Sequence, residues 1–244
     1  MIEILILNLI TLLGGFVVGL TGFGFVLICV PLLTLIIDVK LAIAVAVFLG
    51  WLTCLPLTIK MHAHIKKKAV AILFIGAIPG TMIGTHILHI MPSQYVVITM
   101  SLVIILSSVY CLRTENKTSK QSKNSTTLAT GFASGVLGAS VGEGGPPVVS
   151  YSVMQPWSAE QAKATMLAFF SLQMALALIN YYLDSLLTNE SLQLALTLIP
   201  GLTIGVIVGL ISFSEIQKRH INFQRIMHFC LIILGAYLLI KVSY

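Results

Sequence analysis

Long apolar runs, twice interrupted by clusters of glycine and proline, constrain this chain more than any other feature of its 244 residues. A helix needs about 20 mostly apolar residues to cross a bilayer. Mostly apolar runs of this length lie at 41–59, 69–90, 94–112, 165–183, 191–212 and 224–241. Two further regions, 4–37 and 129–157, are too long for one helix, and glycines break both of them. Composition agrees: 57% of residues are hydrophobic and 9% charged, where a soluble domain carries about 25% charged residues. A soluble fold could not hide that much apolar surface, so the chain is expected to be an integral membrane protein.

The formal net charge of +6 does not point to nucleic acid. Basic residues cluster in short loops between apolar runs, as in "KMHAHIKKK" (60–68), and such clusters report topology. Phosphate-loop, dinucleotide and zinc-finger patterns are missing from the sequence. Cys29, Cys54, Cys111 and Cys230 stand singly in apolar segments and read as small core residues. Neither a cofactor nor a metal is expected. The start, "MIEILILNLITLLGGFVVG", has Glu3 in place of a basic leader, which predicts a membrane segment rather than a cleaved signal.

The polar stretch "RTENKTSKQSKNSTT" divides the chain into similar halves. "GFVVGLTGFGFVLICVP" (15–31) aligns without gaps on "GFASGVLGASVGEGGPP" (131–147), and "PGTMIG" (79–84) has its counterpart in "PGLTIG" (200–205). If each glycine-broken region enters and leaves by one face and three crossings follow, the halves are inverted. Loops 60–68, 113–127 and 213–223 then share one side, together with Lys163 and Arg225. Lys40 and Lys241 fall on the other side, along with Asp38, Asp184 and Glu190. The positive-inside rule makes the basic side cytoplasmic and puts both termini outside, in a cell inner membrane or a plasma membrane. The expected fold is an all-α polytopic membrane protein of two inverted repeats, each a re-entrant, glycine-broken hairpin plus three transmembrane helices. Residues 1–112 form the first repeat, 113–127 a cytoplasmic linker and 128–244 the second repeat, all in one membrane domain. An arrangement of ten complete segments, with the broken regions as paired short helices, keeps the same loop sides.

Non-helical backbone at membrane depth is tolerated only where protein buries it or where it lines a watery cavity. "GLTGFGF" (19–25) and "GASVGEGGPP" (138–147) therefore read as two tips that meet each other or a ligand. Pro31, Pro146 and Pro147 are placed to open new helices, whose free amides and positive dipole ends would converge on an anion. The candidate binding residues are Thr21, Gly22, Gly24, Ser140, Gly142, Glu143, Gly144 and Gly145. Glycine admits left-handed backbone and close approach, and the Thr21 and Ser140 hydroxyls could donate to an oxyanion. Glu143 is a candidate proton carrier, a charge that repels dianions, or a structural acceptor of amide bonds. Gln173 and Asn180, seven residues apart, share a helix face and either line a path or bond between helices. Spacings of four among Gly15/Gly19, Gly131/Gly135, Gly80/Gly84 and Gly201/Gly205/Gly209 predict close helix packing. His86 and His89 read as interfacial caps, and His62 and His64 as solvated.

The paired segments "GLTGFGFVLICVP" and "GASVGEGGPPVVSY", in two similar halves, resemble the TauE/SafE family of sulfite and organosulfonate exporters. The resemblance covers essentially the whole chain. It implies a secondary transporter, an exporter in direction, that holds a small sulfur-containing or organic anion such as sulfite or an organosulfonate between the tips. Two departures from the family pattern alter the volume and charge of the site: Phe23 and Phe25 flank Gly24, and Glu143 sits inside the second glycine cluster. Partners would be a small anionic solute and the lipid bilayer, with no nucleic acid; a homodimer is one open assembly. The alternatives are a proton-coupled carrier of another small carboxylate or oxyanion and an intramembrane enzyme using Glu143. The enzyme reading lacks a HExxH or GxSxG motif and a Ser–His pair within the spans. A scaffold would not need broken helices.

Overall fold

The computed structural model describes residues 2–113, 122–218 and 223–243. Among them are ten α-helices and a single 3₁₀ turn (His62–His64), with no strand. The first five helices are α1 (Ile2–Thr21), α2 (Phe25–Leu33), α3 (Val39–Lys60), α4 (Lys67–Ile90) and α5 (Ser93–Arg113). The second five are α6 (Asn124–Val141), α7 (Gly145–Val153), α8 (Ala159–Leu183), α9 (Asn189–Lys218) and α10 (Phe223–Ser243). Both sets follow one order: a long helix, a three-residue break, a nine-residue helix, then three long helices.

Six of these helices are long and apolar enough to cross a membrane: α1, α3, α4, α8, α5 over Ser93–Tyr110 and α9 over Asn189–Ser212. The chain is an all-α polytopic membrane protein. At 1.5 Å per residue, α2 and α7 are each about 13 Å long, under half of a hydrocarbon core. They are half-length limbs after a break, not spans. Of α10, expected to cross at 224–241, the described side chains form the shorter apolar stretch Phe229–Val242.

Two boundaries differ from expectation. The polar run 124–127, read as linker, is the first turn of α6, which Thr127 ties back by donating its hydroxyl to the Lys123 carbonyl. The rest of that linker, 114–121, lies outside the described residues. Helix α9 continues to Lys218 through half of the expected loop 213–223, and residues 219–222 lie outside the described set.

Two helix pairs pack at backbone distance. In α1 against α9, a Cβ at Gly15 would stand 2.6 Å from the Leu202 carbonyl oxygen, and one at Gly19 2.7 Å from that of Val206. A Cβ at Gly201 or Gly205 would overlap the Asn8 or Leu12 carbonyl in return. In α4 against α6, a Cβ at Gly135 would lie 2.7 Å from the Ala77 oxygen, and the Gly80 and Gly84 positions press on Phe132 and Val136. These are the glycines whose four-residue spacing predicts close packing. Asn8 adds polar ties, its amide donating to the Thr197 carbonyl at 3.1 Å and its oxygen accepting the Gly201 amide at 3.1 Å.

Contact numbers rise together along α1 and α9 and along α4 and α6, so each pair runs parallel. Helices α3 and α8 run antiparallel: Gly50 faces Met174, and the Thr58 and Ser171 hydroxyls are 2.9 Å apart. At one end, Lys40 donates to the His89 carbonyl and Ser93 to Asp38, while Lys241 donates to the Leu35 carbonyl. At the other, a capping box of Ser158 and Gln161 starts α8, and the Lys66 amide bonds the Thr165 hydroxyl. Between these ends lies an apolar core in which Cys29, Val30, Leu33, Ile43, Leu49 and Phe169 are fully buried. Exposed Ile75, Met82, Ile207 and Ile211 face outward, as lipid contact requires.

Candidate functional site

Both breaks use glycine in the left-handed region. Helix α1 ends at Thr21, and Gly22 follows at φ 81° with its amide still bonded to the Val18 carbonyl. Gly24, at φ 93°, precedes the first residue of α2. Helix α6 ends at Val141; Gly142 follows at φ 78°, and both it and Glu143 donate their amides to the Leu137 carbonyl. Only glycine takes these dihedrals without strain. The breaks stand 120 positions apart, whereas the ungapped glycine alignment shifts by 116. Gly22 therefore matches Gly142 in the fold, and Gly138 is one turn back inside α6. Glycines repeating every four residues permit such a slip of one helical turn.

The prolines also divide differently. Pro146 and Pro147 occupy the first turn of α7, as expected. Pro31 lies in the second half of α2, because that helix already starts at Phe25, six residues earlier. Neither helix start has a side-chain cap. The first-turn amides of α2 and the positive ends of both helices thus remain turned toward the breaks.

A cavity of about 50 Å³ lies between the two breaks. Phe23, Gly24 and Phe25 line it from the first, and Gly142, Glu143, Gly144, Gly145 and Pro146 from the second. Gln173 and Phe170 of α8 and Cys54 of α3 complete part of the wall. A Cβ at Gly145 would have no atom within 4 Å, so that backbone opens directly onto the void. Gly144 is tighter: its Cβ would meet the Ser134 carbonyl at 3.0 Å. Glu143 is 1% exposed, and among the described residues neither carboxyl oxygen has a hydrogen-bond partner. A buried polar group left in that state is costly unless a ligand or proton serves it.

Of the residues singled out in the sequence, Gly24, Gly142, Glu143, Gly144, Gly145 and Gln173 come together on this wall. The other four stand off it. Thr21 spends its hydroxyl on the Val17 and Phe23 carbonyls, at 2.9 and 2.6 Å, and Ser140 on Val136 at 2.6 Å. Thr21 thus braces the first break, and Ser140 turns back along its own helix. Gly22 is covered by the Lys163 side chain. Asn180 keeps a buried amide nitrogen without a partner among the described residues, away from the cavity.

Two supporting residues escape a reading of the sequence. The buried Ser134 hydroxyl donates to the Gly144 carbonyl at 2.6 Å and fixes the second tip. Lys163, read as a mere topology charge, reaches over the first tip, where its ammonium donates to the Gly19 carbonyl at 3.2 Å. A cation suits this end of α1, where the helix dipole is negative. Its position as the sole basic residue of α8 was the available signal.

No curated protein and no solved structure matches the chain significantly. A family model, described as sulfite exporter TauE/SafE, matches residues 7–238, nearly the whole length. With its paired glycine breaks, shared cavity and apolar helices, the chain belongs to the TauE/SafE sulfite exporter family of membrane transporters.

Proposed function

We propose that this protein is a secondary exporter of a small sulfur-containing or organic anion, such as sulfite or an organosulfonate, bound between the two glycine breaks. The observation that carries the proposal is a cavity walled by both breaks, with open Gly145 backbone on one side and Gly24 on the other. Peptide amides and helix N-termini stabilise an anion without a fixed cationic side chain, which lets the anion leave again.

In this reading the halves are inverted repeats. The parallel α1–α9 and α4–α6 pairs and the antiparallel α3–α8 pair support it, because together they start α1–α2 and α6–α7 from opposite faces. The basic loops support a cytoplasmic entrance for the second hairpin and termini that both face outside, in a cell inner membrane or a plasma membrane. A potential negative inside favours anion exit by about 2.3 kcal/mol per charge per 100 mV, so export needs no coupled ion.

The unpartnered Glu143 oxygens favour a second reading, in which a proton travels with a carboxylate or oxyanion substrate. One screen separates the two. Proteoliposomes are tested with sulfite, thiosulfate, sulfonates and small carboxylates, with and without a pH gradient. The exporter reading expects saturable flux of a sulfur-containing anion driven by voltage alone. Flux that requires the pH gradient selects the coupled carrier, and no flux of any tested anion overturns both.

A further inference from the structure

A second pocket, of about 360 Å³, lies where the loop before α4, the start of α6 and the end of α7 meet. Lys66, Lys67 and Lys68 line it, with Asn124, Gln155 and Trp157. No carboxylate lines it among the described residues; the nearby Glu160 faces the His64 ring at 3.5 Å instead. Three consecutive lysines on the rim of one concavity give it a positive local potential, which raises the concentration of anions.

The pocket is held in shape by its own side chains. Gln155, 5% exposed, donates to the Ser122 hydroxyl at 2.6 Å and accepts the Ser122 amide at 3.3 Å. The Trp157 ring packs edge-on against Tyr151 with centroids 5.7 Å apart, and Thr127 donates to the Tyr151 hydroxyl at 3.1 Å. The Lys66 amide is tied to Thr165 of α8, which fixes the lysine-bearing rim.

Helix α7 joins this pocket to the cavity between the breaks. Gly145 and Pro146, at its start, line the cavity, and Tyr151, near its end, lines the basic pocket. One apolar cluster touches both spaces: Phe23 and Phe170 line the cavity, and Tyr151 of the same cluster lines the pocket.

We propose that the Lys66–Lys68 pocket is a loading site, which binds the small oxyanion from the aqueous phase before it passes the Phe23–Phe170–Tyr151 cluster to the breaks. This rests on the transport reading above, and deepens it by adding a station on the basic face. The chemistry recognised is a compact oxyanion; a phosphate-bearing lipid headgroup offers the same chemistry from a different source.

The test uses sulfite flux from the basic face in proteoliposomes, comparing wild type with K66Q/K67Q/K68Q and the charge-retaining K66R/K67R/K68R. The glutamine triple is expected to raise the apparent KM about tenfold while maximal flux stays within about twofold. Added salt should raise the wild-type KM and leave the glutamine triple unchanged, and the arginine triple should behave as wild type. An unchanged KM, or a loss of maximal flux alone, overturns the proposal. If the glutamine triple inserts poorly, K67Q alone carries the measurement, with a smaller rise expected and an unchanged KM again overturning it. Vesicles of phosphatidylcholine with and without phosphatidylglycerol identify the source. A wild-type response to phosphatidylglycerol that the triple loses, with equal KM in pure phosphatidylcholine, assigns the pocket to lipid and overturns the loading site. Failure of the cavity itself reads out separately, as flux that survives a side chain placed at Gly145.

Discussion

Gly142 and Glu143 are adjacent, yet each is held in place for a different reason. Gly142 is locked by its backbone, since its φ of 78° suits glycine and a Cβ would sit 3.0 Å from Val30. Gly142→Ala should cost about 1–2 kcal/mol, the price of left-handed backbone for an L residue. It should appear as a lowered thermal midpoint of the detergent-purified protein. Glu143 is held by its backbone, whose amide bonds the Leu137 carbonyl, while its carboxyl has no hydrogen-bond partner among the described residues and so can serve a ligand or carry a proton. Glu143→Gln keeps the shape and removes the exchangeable charge. If protons move with substrate, this variant transports without responding to an imposed pH gradient, while wild type responds. Identical responses from the two would leave Glu143 with a structural role only.

At the scale of elements, the close pairs α1–α9 and α4–α6 frame the breaks. Gly205→Leu would drive a side chain into the Leu12 carbonyl. It is expected to destabilise by about 3 kcal/mol, at the upper end of overpacking costs. Heating followed by size-exclusion chromatography should show early loss of the monodisperse peak. This packing was legible in the sequence, because glycines four apart in an apolar run have few other physical uses. The register between halves was not, since a repeat of four tolerates a slip by one turn, and only the left-handed dihedrals of Gly22 and Gly142 fix it. Legible too were the breaks themselves, because GGPP cannot continue a helix. Which hydroxyls face the void was hidden: Thr21 and Ser140 sit close to the breaks in sequence but turn back to their own helices. Lys163 was hidden for a related reason, as the length of its side chain carries the ammonium to another helix.

At the scale of the molecule, the account requires two hairpins entering from opposite faces. Single cysteines at Gln94 and Glu160 test this, since Gln94 begins α5 and Glu160 begins α8. An impermeant thiol reagent added outside intact cells should label Gln94→Cys and spare Glu160→Cys until the membrane is opened. Labelling of both from one side would contradict the topology. The central claim, that an anion passes through the void between the breaks, is tested most directly by sulfite flux through Gly145→Leu. The Cβ there meets nothing within 4 Å, so the variant should fold and fill the cavity. Wild-type thermal stability with sulfite flux reduced to the level of empty liposomes is the predicted result; undiminished flux through a stable Gly145→Leu protein would contradict it.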